Sequence, residues 1–312
     1  MQNSLMKTFK KRRIVIRTSA IVAILIILLS ITIIIINGYT KKMEEILLTQ
    51  LKANTDRQMM GYILQTSNGK TVVIDGGTEG DAQNLIEWIN KQGGKVDAWY
   101  ITHPHIDHMG AFMKIVEETE IPIEKIYVTL NDLEWYRQNE PSRIEEIERF
   151  FTVIQNSRIS DKVSEVTLGE KMEIDGLNFE ILGVKNPEIT NRAVNNSSMV
   201  IKMYANKTSV LFLGDTGEDS GKKLLKEQGE NLKSDIVQMA HHGQNGVAED
   251  VYKMIDPEIC LWPTPEWLWN NDSGEGEDSG PWKTKTTRVW MGKLNVKENI
   301  IEKDGDQTIQ IP

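Results

Sequence analysis

One cysteine, five histidines and no surplus of positive charge mark this 312-residue chain by what it lacks. The lone cysteine, Cys260, excludes an intrachain disulfide, so stability must come from a buried core. It stands in the apolar run EICLW and reads as a small buried hydrophobe rather than a reactive thiol. A domain of this size can rely on its core, so the lack of disulfides does not conflict with an extracellular address. Internal repeats and long low-complexity linkers are absent as well. The one biased stretch is NNDSGEGEDSG at 270–280, an acidic Gly/Ser-rich loop between Trp269 and Trp282. Hydrophobic content of 39% and charged content of 26% are ordinary for a globular protein. The length allows one large domain or two small ones.

The first 37 residues contain six basic residues and no acidic one. Lys7, Lys10, Lys11, Arg12, Arg13 and Arg17 lead into TSAIVAILIILLSITIIIIN, twenty residues without a charge. About twenty apolar residues let an α-helix cross a hydrocarbon core. The run is longer than a signal-peptide core and no small-residue cleavage site follows it, so a retained anchor is expected. A buried soluble helix is the alternative, but no polar face exists to meet water. Only Lys41 and Lys42 lie just beyond the span, and the positive-inside tendency then puts the N-terminus in the cytoplasm. The expected organisation is a basic cytoplasmic tail at 1–13, a single-pass signal anchor in the cell membrane at 14–37 and a juxtamembrane stalk at 38–57. A globular domain at 58–312 then lies outside the cell.

Beyond residue 37, 30 basic residues face 45 acidic ones, a formal net charge of −15. So acidic an exterior repels polyanions and argues against an extended nucleic-acid partner. Lys222, Lys223 and Lys226 share one expected helix, but with acidic neighbours they read as a solvated face.

The domain reads as alternating short strands and helices. MGYILQT and TVVIDGG are β-rich runs joined by SNGK, whose Asn68-Gly69 pair suits a hairpin turn. DAQNLIEWINKQGG reads as a helix with Asp81 as N-cap, and VDAWYIT as the strand that follows. Further helices are expected at MKIVEETE, SRIEEIERFFTVIQ, GKKLLKEQ, AEDVYKMI and TTRVWMGKL. KMEIDGLNFEILG and SMVIKMYANKTSVLFLGD read as strand–turn–strand, and 41–58 as a short helix or stalk. Strand pairs with interspersed helices indicate mixed sheets with helices packed outside.

The scarce histidines are concentrated. THPHIDHMG at 102–110 holds His103, His105, Asp107 and His108, immediately after an expected strand. Imidazole and carboxylate together suit zinc, manganese or iron, and so short a stretch cannot wrap four side chains round one tetrahedral ion. Two adjacent metals are the better expectation. The remaining pair, His241 and His242, also follows an apolar strand, as do Asp215 in LFLGD and Asp75 in VVIDGG. A lone aspartate after a strand is usually a turn residue. All five histidines in that same placement argue against a set of solvated turns.

This pattern resembles the metallo-β-lactamase superfamily and matches its H-x-H-x-D-H motif in full. NNSSMVI followed by LFLGD, then HHG and a C-terminal EKDGDQTIQI, are similar to the hydrolase domain of ComEC-type competence proteins. The resemblance covers roughly residues 58–312. It implies an α+β four-layer αβ/βα sandwich with the metal site along one edge of two sheets. It also implies two divalent ions, zinc or manganese: His103 and His105 on the first, Asp107 and His108 on the second, Asp215 bridging. His241 would complete the second, leaving His242 to meet substrate, and Asp75 would orient a ligand from behind. The family usually has one more histidine before the Asp215 strand. Here NNSS stands in that place, which makes Asn195, Asn196 and Ser198 candidates for a weak ligand or a substrate contact.

The resemblance implies hydrolysis by a metal-bound hydroxide, with Asp107 as its base or orienter and no Ser or Cys nucleophile. It favours a phosphodiester, either a small molecule or part of the cell envelope, since nuclease activity is associated with ComEC-type domains. A lactam, lactone or other ester is a second reading, and a catalytically silent binding protein a third. Trp262, Trp267, Trp269, Trp282 and Trp290 crowd one C-terminal segment. They read as packing for a loop, with an aromatic wall for a sugar, base or cation as the sharper alternative.

Overall fold

The computed structural model describes residues 26–30 and 46–311. Residues 26–30 form an exposed helical turn, and the rest of the expected anchor lies outside the described residues. Among the described residues no helix is long and apolar enough to cross a membrane.

Two mixed sheets make up the unit from Glu45 onward. The first has the order β14-β1-β2-β3-β4-β5-β6: β1 (Ile46–Gln50), β2 (Gly61–Gln65), β3 (Thr71–Asp75), β4 (Ala98–Tyr100), β5 (Ile126–Val128), β6 (Val163–Glu165) and β14 (Gln307–Ile311). The second has the order β13-β12-β11-β10-β9-β8-β7: β7 (Lys171–Ile174), β8 (Leu177–Gly183), β9 (Val200–Ala205), β10 (Thr208–Phe212), β11 (Ile236–Gln238), β12 (Ile259–Trp262) and β13 (Glu298–Ile301). Each sheet runs through antiparallel pairs and then parallel ones, with the change at β3 in the first and at β10 in the second.

Tight turns join β7 to β8 and β9 to β10. Asp175 and Gly176 take φ of 49° and 84°, and Asn206 takes 54°, the left-handed region these residue types tolerate best. Between the sheets lies a core of Tyr62, Tyr100, Phe179 and Phe212, with aliphatic neighbours from both. Tyr62 and Phe212 meet edge to face at 5.3 Å, one from each sheet. Such a pair adds about 0.5–1.5 kcal/mol beyond area burial. Outside the first sheet pack the helices Ala82–Lys91, Ile106–Glu118 and Ile144–Ile154, through Leu85, Phe112 and Phe150. Outside the second pack Glu218–Gln228, Glu249–Ile255 and Thr284–Lys293, through Leu224, Val251 and Met291. The result is the expected helix–sheet–sheet–helix sandwich.

One expectation is corrected. The segment 41–58, expected as a helix or stalk, contains β1, which pairs with β2 and with β14 (Leu48 opposite Leu64 and Ile309). Ile46 and Leu48 are fully buried there, so sheet pairing overrides the charged residues just before them. Ile46–Gln50 therefore belongs to the domain and not to a stalk. Cys260 is buried as expected, and burial pushes its thiol pKa up.

Candidate metal centre

The C-terminal ends of four strands, β3 and β4 in one sheet and β10 and β11 in the other, deliver the chemistry. In open α/β sheets ligands collect beyond the carboxyl ends of strands. Met199 N–H donates to the Thr102 carbonyl at 2.8 Å, tying the two sheets' loops together at this edge.

Asp75, the last residue of β3, has a φ of 54°, which turns its carboxylate inward. It accepts the Thr102 N–H and hydroxyl, each at 2.7 Å, and pairs with His108 Nδ1 at 2.7 Å. Holding Nδ1 in this way directs His108 Nε2 away from Asp75. The helix carrying His108 starts at Ile106, earlier than the expected MKIVEETE, because Asp107 and His108 already form its first turn. A carboxylate there is favoured by the helix dipole. Gly110 allows this helix to approach: a Cβ would stand 2.7 Å from the Glu79 nitrogen.

The other half is built by three successive left-handed residues, His241, His242 and Gly243, with φ of 51°, 55° and 76°. A side chain at Gly243 would meet the Trp262 ring at 2.5 Å, so the turn is pressed against the buried indole. His242 Nδ1 donates to the Pro263 carbonyl at 3.0 Å, which turns its Nε2 toward the other half of the site.

Two groups of ligand-type atoms result: His103, His105 and Asp215 in one, and Asp107, His108 and His242 in the other, the atoms of each group within 4.8 Å of one another. Asp215 stands between them. Its Oδ2 lies 3.7 Å from His103 Nε2 and 3.7 Å from His241 Nε2. Its Oδ1 lies 3.3 Å from His108 Nε2 and 3.6 Å from His242 Nε2. His242 thus takes the place expected of His241, and His241 turns to the other side of Asp215. His242, not His241, joins Asp107 and His108, because the left-handed backbone and the Pro263 bond aim its Nε2 there. His241 faces the first group, on the side where the family's extra histidine is missing.

The donor set fits divalent ions. Nε2 of His108 and His242, together with Asp215 Oδ1, are buried without hydrogen-bond partners. Each such orphan costs about 1–3 kcal/mol, and the two imidazole nitrogens lie 3.3 and 3.6 Å from Asp215 Oδ1, an arrangement that fits a cation. The electrostatics divide the groups. Burial holds His103 well below the ordinary imidazole value and His105 down to about 3, so both are neutral and ready to coordinate. Burial also disfavours charge on His108 and His242, but Asp215 and its neighbouring carboxylates overcome it. His108 is held well above the ordinary value and His242 is pushed up to about 10. Asp107 and Asp215 stay well below the carboxylate range: burial works against this, and the neighbouring His242 imidazole and the charge of His108 respectively lead the forces that prevail. The protons on His108 and His242 occupy places where an ion's charge would otherwise balance the two aspartates.

The NNSS segment divides by role. Asn195 reaches the centre, its Nδ2 3.1 Å from His241 Nε2 and its Oδ1 buried and unpartnered. Ser198 supports it: its hydroxyl accepts the Asp215 N–H at 3.1 Å and lies 3.3 Å from His103 Nδ1. Asn196 is used elsewhere and drops out as a candidate. Its Oδ1 accepts the Gly217 and Ser220 N–H groups and the Ser220 hydroxyl, and its Nδ2 donates to the Asn191 carbonyl. Thr102, Gln58, Gln244 and the Pro263 carbonyl escape sequence reasoning. Only Thr102, adjacent to the histidine motif, carries a positional signal.

Most of the tryptophans pack. Trp262 is buried, Trp269 and Trp290 lie against the same cluster, and Arg288 stacks over Trp269 at 4.0 Å. Trp267 and Trp282 meet edge to face at 4.9 Å across the acidic loop.

A family model described as the metallo-beta-lactamase superfamily matches residues 56–259. ComE operon protein 3 of Bacillus subtilis is 26% identical over 182 residues, 57% of this chain and 21% of that protein. Competence protein ComA of Neisseria gonorrhoeae is 24% identical over 207 residues, 65% of this chain and 25% of that protein. The chain therefore spans about a quarter or less of these relatives' length. The metallo-beta-lactamase fold protein YhfI of Bacillus subtilis superposes with a TM-score of 0.52 at 14% identity, over 86% of this chain and 100% of that one.

Proposed function

The chain belongs to the metallo-beta-lactamase superfamily, and from that premise we propose a membrane-anchored, two-metal phosphodiesterase whose catalytic domain lies outside the cell. One observation carries the two-metal reading: the two oxygens of Asp215 face two separate histidine groups. His103, His105 and His241 would hold one ion, and Asp107, His108 and His242 the other, with Asp215 between. Bound there, two divalent ions would supply Lewis acidity and lower the pKa of water toward neutrality.

The chain's own residues do the rest. Asp107, at the rim of the second group with Oδ2 3.3 Å from His242 Nε2, can orient a water and hold its proton. The hydroxyls beside the site are committed, Thr102 to Asp75 and Ser198 to the Asp215 N–H, so neither serves as nucleophile. The similarity to competence proteins supports a phosphodiester. The net charge of −15 beyond residue 37 supports a small or envelope-borne substrate over a long nucleic-acid track.

The test is metal analysis of the full chain in detergent, with bis(p-nitrophenyl) phosphate and nitrocefin as substrates. About two divalent ions per chain and phosphodiester turnover lost in Asp107→Ala are expected. Turnover of nitrocefin alone would move the activity to amide or ester bonds, and a metal-free, inert chain would leave a binding protein.

The separation of the tandem histidines onto two sides of Asp215 has its own consequence. His242→Ala should release the ion held with Asp107 and His108, while His241→Ala should weaken the ion held by His103 and His105. Cobalt titration of each variant reads this directly: two distinct single-site spectra are expected. Identical residual spectra would show that the two histidines serve one ion.

A further inference from the structure

We propose that Gln58 is the positioning residue for Asp107, held in register by an acid-anchored strap, residues 51–58, between β1 and β2. This rests on the reading of Asp107 as a metal ligand. The other two members of its group each have a fixed partner behind them: Asp75 for His108 and the Pro263 carbonyl for His242. The hydrogen bond that reaches the Asp107 carboxylate from outside the group comes from Gln58, whose Nε2 donates to Oδ2 at 2.8 Å.

The amide is oriented by its other end. Gln58 Oε1 accepts from Gln244 Nε2 at 2.9 Å, and the Gln244 N–H donates to the His241 carbonyl at 3.0 Å. Turning the Gln58 amide over would set oxygen against carboxylate and nitrogen against nitrogen, so both contacts select one orientation. A chain of bonds therefore runs from the tandem-histidine turn through two glutamines to Asp107.

The strap cannot swing. Three successive backbone N–H groups are captured by three carboxylates, two from the connection between β13 and β14 and one from the turn before the Ala82–Lys91 helix. Lys52 donates to Asp306 Oδ1 at 2.8 Å, Ala53 to Glu302 Oε1 at 2.8 Å and Asn54 to Asp81 Oδ1 at 2.6 Å. The Met60 N–H also donates to the Asp107 carbonyl at 3.0 Å, so strap and ligand share a backbone tie.

An amide N–H steadies the carboxylate without adding charge. Partners of this sort are worth about 10–100-fold in metal affinity or activity. The experiment is zinc binding by the full chain in detergent, in competition with a chromophoric chelator, with thermal stability followed alongside. Gln58→Ala should raise the zinc dissociation constant of the site that includes Asp107 about 10–100-fold. Gln58→Glu, which sets a like charge beside Asp107, should be worse than alanine. Gln244→Ala should weaken zinc binding in the same way by less, and the double variant should fall short of the two effects added. Lower thermal stability with zinc affinity unchanged would make the strap merely structural and overturn the proposal. A parent chain that binds no zinc would instead overturn the metal reading on which it rests.

Discussion

Asp215→Ala is expected to empty both metal positions at once, where loss of any single histidine disturbs one. Its two oxygens lie 3.3–3.7 Å from four imidazole nitrogens, two on each side. Removing one preorganised electrostatic group from an active site costs about 10²–10³ in rate, and a residue shared by both ions should exceed that. The fold should survive the change. The Ser198 hydroxyl still accepts the backbone N–H at this position. Without the carboxylate, His108 loses the charge that leads in keeping it protonated, so its pKa should fall toward the value burial alone would set. Metal content and bis(p-nitrophenyl) phosphate turnover are the measurements. An alanine variant that keeps two ions per chain would sink the bridging role.

What could be read from residue order alone follows a physical line. Side chains that act through short-range spacing were legible: His103, His105, Asp107 and His108 fall together because they share one loop and one helical turn. Asp75, Asp215 and the tandem histidines were legible because each follows an apolar run at a strand end. The layered fold followed from the same runs. Contacts closed by distant partners were not legible. ILLTQ, beside charged neighbours, shows itself as β1 only against β14, where Leu48 meets Ile309. The division of labour between His241 and His242 depends on two left-handed backbone angles and on Trp262 filling the space beside Gly243, neither of which spacing reveals. Gln58 is a plain polar residue until the fold brings Asp107 to it.

Glu302→Gln is expected to stabilise the protein at alkaline pH and to leave it nearly unchanged near pH 5. Glu302 is 2% exposed; its Oε1 accepts the Ala53 N–H, and its Oε2 is buried without a partner. Burial pushes its pKa up to about 8, against the Ala53 hydrogen bond and the nearby charge of His242, while Asp81 adds to the rise. Tyr62, on β2, feels the same carboxyl. Unfolded, the group ionises near the ordinary glutamate value of about 4.3. Between these two values the folded chain holds a proton that the unfolded chain has lost, so stability falls as pH rises and the full penalty stands above pH 8. The linkage relation sets that penalty at about 5 kcal/mol, or roughly 10–20 °C in Tm for a domain of this size. Glutamine keeps the acceptor for Ala53 and the volume of the side chain but cannot ionise. The difference in Tm between variant and parent should therefore be small at pH 5, grow through pH 6 and 7, and level off above pH 8. Parallel curves across that range would show that Glu302 ionises in the folded protein without cost, and that the strap's middle anchor is solvated rather than buried.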